Sequence, residues 1–157
     1  MKRFLWVILC VGAMAGSPAW AQTAADVDMQ ILRDKVKADK KLLVAANLQL
    51  TDGEAKGFWP VYDAYQKDLL DINKRLGAVI LAYADTLKNN SLTDEQAKKL
   101  LADVLATEEA EVKLRQSYVA RLEKVLPGKK VVRYVQIEGK VRALVDYEIA
   151  AGIPLVQ

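Results

Sequence analysis

Glu108, Glu109 and Glu111 place three carboxylates within four residues, and carboxylate oxygens are the ligands that hard divalent cations prefer. Metal sites between helices usually combine glutamates with histidines from several helices. This chain has no histidine, so the three glutamates are read as a solvated, salt-bridged helix face. The single cysteine, Cys10, falls inside an apolar N-terminal run. The chain after that run therefore has neither thiol nor imidazole. Disulfides, cysteine nucleophiles, histidine bases and the usual zinc and copper sites are excluded. No glycine-rich phosphate loop is present either. The expectation is no enzyme, no metal and no cofactor.

A second group of residues points to binding. Phe58, Trp59, Tyr62, Tyr65 and Tyr118 are large aromatics among mixed charges. A thin bundle that leaves some of its apolar stripe uncovered offers such side chains to other proteins. The same spacing also suits an ordinary core, and for Tyr62 and Tyr65 both readings stand.

The elements that position these residues are helices. Ala55, Phe58, Tyr62, Tyr65, Leu69, Ile72, Leu76, Val79 and Tyr83 alternate in steps of three and four, a heptad seam on one helix face. Thr51 and Glu54 have capping-box spacing, which starts this central helix at Asp52. Pro60 lies inside it and predicts a bend. A start at Pro60 itself is the rival reading. Trp59 sits off the seam, either on a second packing surface or as an exposed contact.

A first helix is predicted from about Ala25 to Asn47. Its basic run, Arg33 to Lys41, holds five basic and two acidic residues. Interleaved carboxylates favour a solvated face over a nucleic-acid or lipid site. Thr93 and Gln96 repeat the capping box and open a third helix, Asp94 to about Leu126. A fourth runs from about Lys129 to Ala150. No stretch alternates as a strand does, so the fold is all-α: four helices in long antiparallel hairpins. Turning the second hairpin at Asn90-Ser91 brings Leu76 near Leu105 and Leu69 near Val112. The apolar tail from Ile153 to Val156 is expected to pack back on the bundle.

Lys2 and Arg3, an apolar run to Met14 and then Ala19-Trp20-Ala21 have the form of a secretory leader cleaved after Ala21. Residues 22–157 then form a single helical domain outside the cytoplasm. The whole chain carries a net charge of +3. Losing Lys2 and Arg3 with the leader lowers that to +1, which implies no nucleic-acid partner.

Leu92-Thr93-Asp94-Glu95-Gln96 resembles the LTxxQ motif of Spy/CpxP-type periplasmic proteins, and Leu50-Thr51-Asp52-Gly53-Glu54 resembles a degenerate first copy, with Glu54 in place of glutamine. Phe58-Trp59-Pro60-Val61-Tyr62 and Leu126-Pro127 with Lys129, Lys130 and Arg133 are similar to related exported helical proteins. The resemblance implies a thin, curved helical homodimer that holds unfolding envelope proteins without ATP or tunes an envelope-stress signal. The alternative is a dedicated subunit that binds one membrane sensor, without chaperone activity. Relatives that bind zinc do so through histidine, which this chain lacks.

The middle of the third helix is polar where a seam should continue. With a hairpin about Pro127-Gly128, Arg115 falls near Glu138 and Glu111 near Arg142. The sequence therefore predicts two ion pairs, Arg115 with Glu138 and Glu111 with Arg142, which set register at little net gain in stability.

Overall fold

The computed structural model describes residues 40–156. The proposed leader, its cleavage site after Ala21 and the start of the first helix lie outside the described residues. Those described are all-α: α1 (residues 40–48), α2 (Asp52–Lys88), α3 (Asp94–Leu122) and α4 (Gly128–Gly152).

Both capping boxes form. The Glu54 N–H donates to Thr51 Oγ1 at 3.3 Å, and the Thr51 N–H donates to Glu54 Oε2 at 2.7 Å. At α3 the Gln96 N–H donates to Thr93 Oγ1 at 3.2 Å, and the Thr93 N–H donates to Gln96 Oε1 at 2.9 Å. The start at Asp52 is thus fixed by side chains, and α2 continues through Pro60 without interruption for 37 residues, about 55 Å. The bond lost at Pro60 costs about 3 kcal/mol. Phe58 and Tyr62, buried on either side of it, each return roughly 1.5–3 kcal/mol.

The seam of α2 faces inward along its length. Phe58, Tyr62, Tyr65 and Ile72 are buried, and Ala55, Leu69, Leu76, Val79 and Tyr83 are half-buried. α3 lies antiparallel to it. The rings of Tyr65 and Tyr118 meet edge-on with centroids 5.3 Å apart, and Val125 lies against Gly57. The two pairs centre at Ser91 and Leu92, slightly beyond the expected Asn90-Ser91, and Leu105 and Val112, expected near Leu76 and Leu69, are exposed. Asn90 adopts φ 46°, a left-handed conformation that asparagine tolerates better than most residues.

α3 ends at Leu122, one turn before the expected Leu126. Leu126 precedes Pro127, and a residue before proline is pushed out of helical conformation. The chain closes instead through tight bonds from the Val125 and Leu126 N–H groups to the Leu122 carbonyl, at 3.0 and 2.9 Å. Pro127, with φ −59° and ψ 144°, then caps α4, where its missing N–H leaves no intrahelical bond unmade.

The core gathers where α1, the first half of α2, the end of α3 and the start of α4 meet. It contains Val44, Leu48, Phe58, Tyr62, Tyr65, Tyr118, Leu122, Leu126, Val131 and Tyr134. α4 delivers the C-terminal tail to the opposite end, beside the last turns of α2. The tail packs back only in part: Ile153 is half-buried, whereas Leu155 and Val156 are exposed. The tail's tie to α2 is a hydrogen bond from the Tyr83 hydroxyl to the Pro154 carbonyl at 2.9 Å.

Candidate functional site

Four of the five aromatics expected to meet a partner are core. Phe58 is fully buried, and Tyr62, Tyr65 and Tyr118 are at most 5% exposed. Val44 and Leu48 of α1 and Tyr134 of α4 join them in one cluster. Phe58 and Tyr134 meet edge-on at 5.2 Å, and Tyr62 and Tyr134 at 6.1 Å, the geometry that aromatic quadrupoles favour. Trp59 is half-buried. It stacks edge-on against Phe58 at 5.0 Å and carries the Lys41 ammonium 5.1 Å from its ring. The aromatic group therefore builds the fold, and only the rim of Trp59 reaches solvent.

Burial raises the phenol pKa values of Tyr62 and Tyr134, and pushes Tyr65 up to about 12, with the Glu138 carboxylate adding to each. Tyr118 is raised by burial and by donating its O–H to Asp68 Oδ2 at 2.6 Å.

A polar network crosses this core. Lys40 Nζ lies 2.7 Å from Glu138 Oε2 and donates to Gln66 Oε1 at 3.0 Å. Gln66 Nε2 in turn donates to Glu138 Oε1 at 3.1 Å. α1, α2 and α4 are tied at one point. This corrects the expected pairing of Arg115 with Glu138. The α3–α4 register does bring both residues to the lining of one small cavity, but the Glu138 oxygens are already engaged by Lys40 and Gln66. Arg115 turns instead to Glu111 of its own helix, at 3.6 Å. Arg142 Nη1 lies 3.1 Å from Glu111 Oε1. Lys40 also departs from the solvated face read for its basic run, since its side chain is only 14% exposed.

The two motif copies act at helix ends and do not converge on a pocket. Leu50 and Leu92 precede them as half-buried anchors. Glu54, standing where the motif has glutamine, has a partner that glutamine would not pair with ionically. Lys130 Nζ reaches Glu54 Oε2 at 2.6 Å and the Gln49 carbonyl at 2.9 Å. The Lys130 ammonium is the first cause holding the Glu54 carboxyl below the usual range. Among the described residues Gln96 has no such cross-helix contact.

Glu109 pairs with Lys113 at 2.6 Å and Glu111 with the two arginines, while Glu108 is exposed. No group of three metal-capable side chains converges among the described residues. No described helix is long and apolar enough to cross a membrane.

The exposed apolar surface lies elsewhere. Stepping back from Tyr118 by four and three gives Leu114, Glu111, Thr107, Val104, Leu100 and Ala97, all buried or half-buried. That seam excludes Leu101, Leu105 and Val112, which are exposed along one shoulder of α3. Beside Val112 a depression is lined by Arg115, Gln116 and Val119. Reading the polar Thr107 as a seam member would have revealed this shoulder. Its hydroxyl donates to the Asp103 carbonyl at 2.8 Å, which satisfies it inside the bundle.

No family model, curated protein or solved structure matches this chain.

Proposed function

We propose that this chain is an exported, non-catalytic binding protein of the periplasm that holds apolar segments of unfolding envelope proteins without ATP. The observation that carries this reading is the α3 shoulder. Leu101, Leu105 and Val112 stay exposed over about 17 Å of helix. Lys98, Glu108, Glu109 and, further round the helix, Lys113 flank them. An apolar strip within mixed charge suits weak, unselective contact, because it buries hydrophobic side chains without demanding one shape. The buried aromatics serve as the rigid support. The likeness of Leu92-Thr93-Asp94-Glu95-Gln96 to the Spy/CpxP-type motif supports the same reading and adds a homodimer. The leader-like residues Lys2 to Ala21 support export.

Aggregation of several unrelated denatured proteins provides the test. Broad protection by the wild-type chain, reduced in Leu101→Lys, Leu105→Lys and Val112→Lys with stability unchanged, is the expected result. Protection unaffected by these changes moves the site away from α3. No protection at all, with a single stoichiometric partner captured from envelope extract, makes the chain a dedicated subunit of one sensor.

A further inference from the structure

α4 is two-sided in a way that its core contacts do not explain. Val131, Tyr134 and Glu138 face inward and are buried. On the opposite face, within a sector of roughly 120° at 100° per residue, Lys129, Arg133 and Lys140 are interspersed with Val132, Leu144 and Tyr147. The three apolar residues are 58%, 64% and 70% exposed. No Asp or Glu falls in that sector between residues 129 and 147. None of the three basic side chains makes an ion pair among the described residues.

We propose that this outer face of α4 docks on an anionic phospholipid surface. Charge complementarity carries the choice of occupant. The stripe is about 27 Å long, basic or apolar except for Gln136, and belongs to a chain whose net charge falls from +3 to +1 with the proposed leader removed. Attraction to phosphate headgroups is therefore a property of this face and not of the molecule as a whole. Lysine and arginine stems lie along apolar surface with their charges toward headgroups. The tips of Val132, Leu144 and Tyr147 suit the headgroup–acyl boundary, where tyrosine is enriched. An extended acidic peptide fits less well, because a single helix face is convex and offers no sheet edge for main-chain pairing. The assignment goes beyond the holding function and does not depend on it, since the α3 shoulder is a separate surface.

Flotation of the mature chain with vesicles tests the proposal. Binding is expected to phosphatidylcholine vesicles containing phosphatidylglycerol, not to phosphatidylcholine alone, with release at about 0.5 M salt as the Debye length shrinks. Each basic residue removed should weaken binding about fivefold, so Lys129→Gln with Arg133→Gln and Lys140→Gln should abolish flotation. Leu144→Asp with Tyr147→Asp should reduce it independently. Circular dichroism and the thermal midpoint of these surface variants should match wild type. Equal binding to both vesicle types, no binding by the wild-type chain, or undiminished binding by the folded triple variant overturns the proposal. Loss of client protection by the triple variant without any vesicle binding does so too, and assigns the face to a protein partner.

Discussion

Lys40 Nζ stands 2.7 Å from Glu138 Oε2, with both side chains less than 15% exposed. This pair joins the end of the basic run to the inner face of α4, directly beside the aromatic core. Removing one partner leaves a buried charge alone, which costs about 3–5 kcal/mol, whereas replacing both with apolar residues is often close to neutral.

Glu138→Ala is therefore expected to lower unfolding free energy by about 3 kcal/mol in urea titration. Lys40→Met combined with Glu138→Leu should recover most of that loss. If the double variant shows the sum of the two single losses, the pair contributes nothing to holding α1.

Gly57→Ala tests the closest approach of α2 to the α3–α4 corner. A Cβ at Gly57 would sit 3.0 Å from the Val125 Cβ. In an open helix this substitution stabilises by roughly 0.5–1 kcal/mol. Here overpacking, about 1–3 kcal/mol, reverses the sign. A net loss of about 1 kcal/mol is expected, relieved by adding Val125→Ala. A higher thermal midpoint for Gly57→Ala alone would show that the corner yields without strain.

Glu54 gives the fold an acid-sensitive contact. Its carboxyl is held below the ordinary value of 4.5, first by Lys130. A depressed carboxylate stabilises the native state above its unfolded pKa, and that contribution disappears as pH falls through the folded value. Wild type should lose more thermal stability than Glu54→Gln as pH drops below about 4.5. Glutamine keeps the capping box, as Gln96 does at α3, so the difference reports the charged contacts of the carboxylate, Lys130 first and the Thr51 N–H second. Parallel pH profiles for the two proteins would rule the contact out.

The tyrosines set the alkaline limit. Tyr62, Tyr65, Tyr118 and Tyr134 all have pKa values raised above the ordinary 10, first by burial. A raised value means that the neutral phenol is favoured in the fold. Its stabilisation is complete below pH 10 and is lost as pH rises through the folded values. Tyrosinate absorbance of these four should therefore appear together with loss of helical ellipticity above pH 10. A gradual rise with the helices intact would mean that the phenols reach solvent.

The α2 seam was legible because heptad spacing and two capping boxes all specify the same helices, and the turn at Asn90-Ser91 then sets α3 antiparallel to α2, although it leaves the register short of the observed Tyr65–Tyr118 pair. The local signals at Thr51 and Thr93 needed no tertiary information. Glu138 was misassigned for the opposite reason. Its partner, Lys40, lies on a helix joined through α2, and no turn beside α4 sets the register between them. The aromatic group failed as a surface because spacing reveals which residues share a face but not whether another helix covers it. Val44 and Leu48 supply that cover here. On α3 the seam passes through Thr107 and Glu111, whereas Leu105 and Val112, expected to face Leu76 and Leu69, lie with Leu101 on the exposed shoulder.

The α3–α4 register offers the last prediction, because two arginines on facing helices approach the same glutamate. Arg142 Nη1 lies 3.1 Å from Glu111 Oε1 across the hairpin, while Arg115 approaches it at 3.6 Å from one turn away. Both arginine side chains are partly solvated, so screening reduces each contact to the range of surface pairs, about 0.2–1 kcal/mol. Glu111→Arg should destabilise by about 1 kcal/mol, since it loses two partners and places three cations together. Adding Arg142→Glu restores a cross-helix pair and should return about half of the loss. Arg115→Glu with Glu138→Arg should give no such rescue, because the new arginine at 138 faces the buried Lys40 ammonium. That double variant is expected to be less stable than either single variant. A positive coupling between positions 115 and 138, measured by a double-mutant cycle in urea, would instead place the register contact there and release Lys40 from the core.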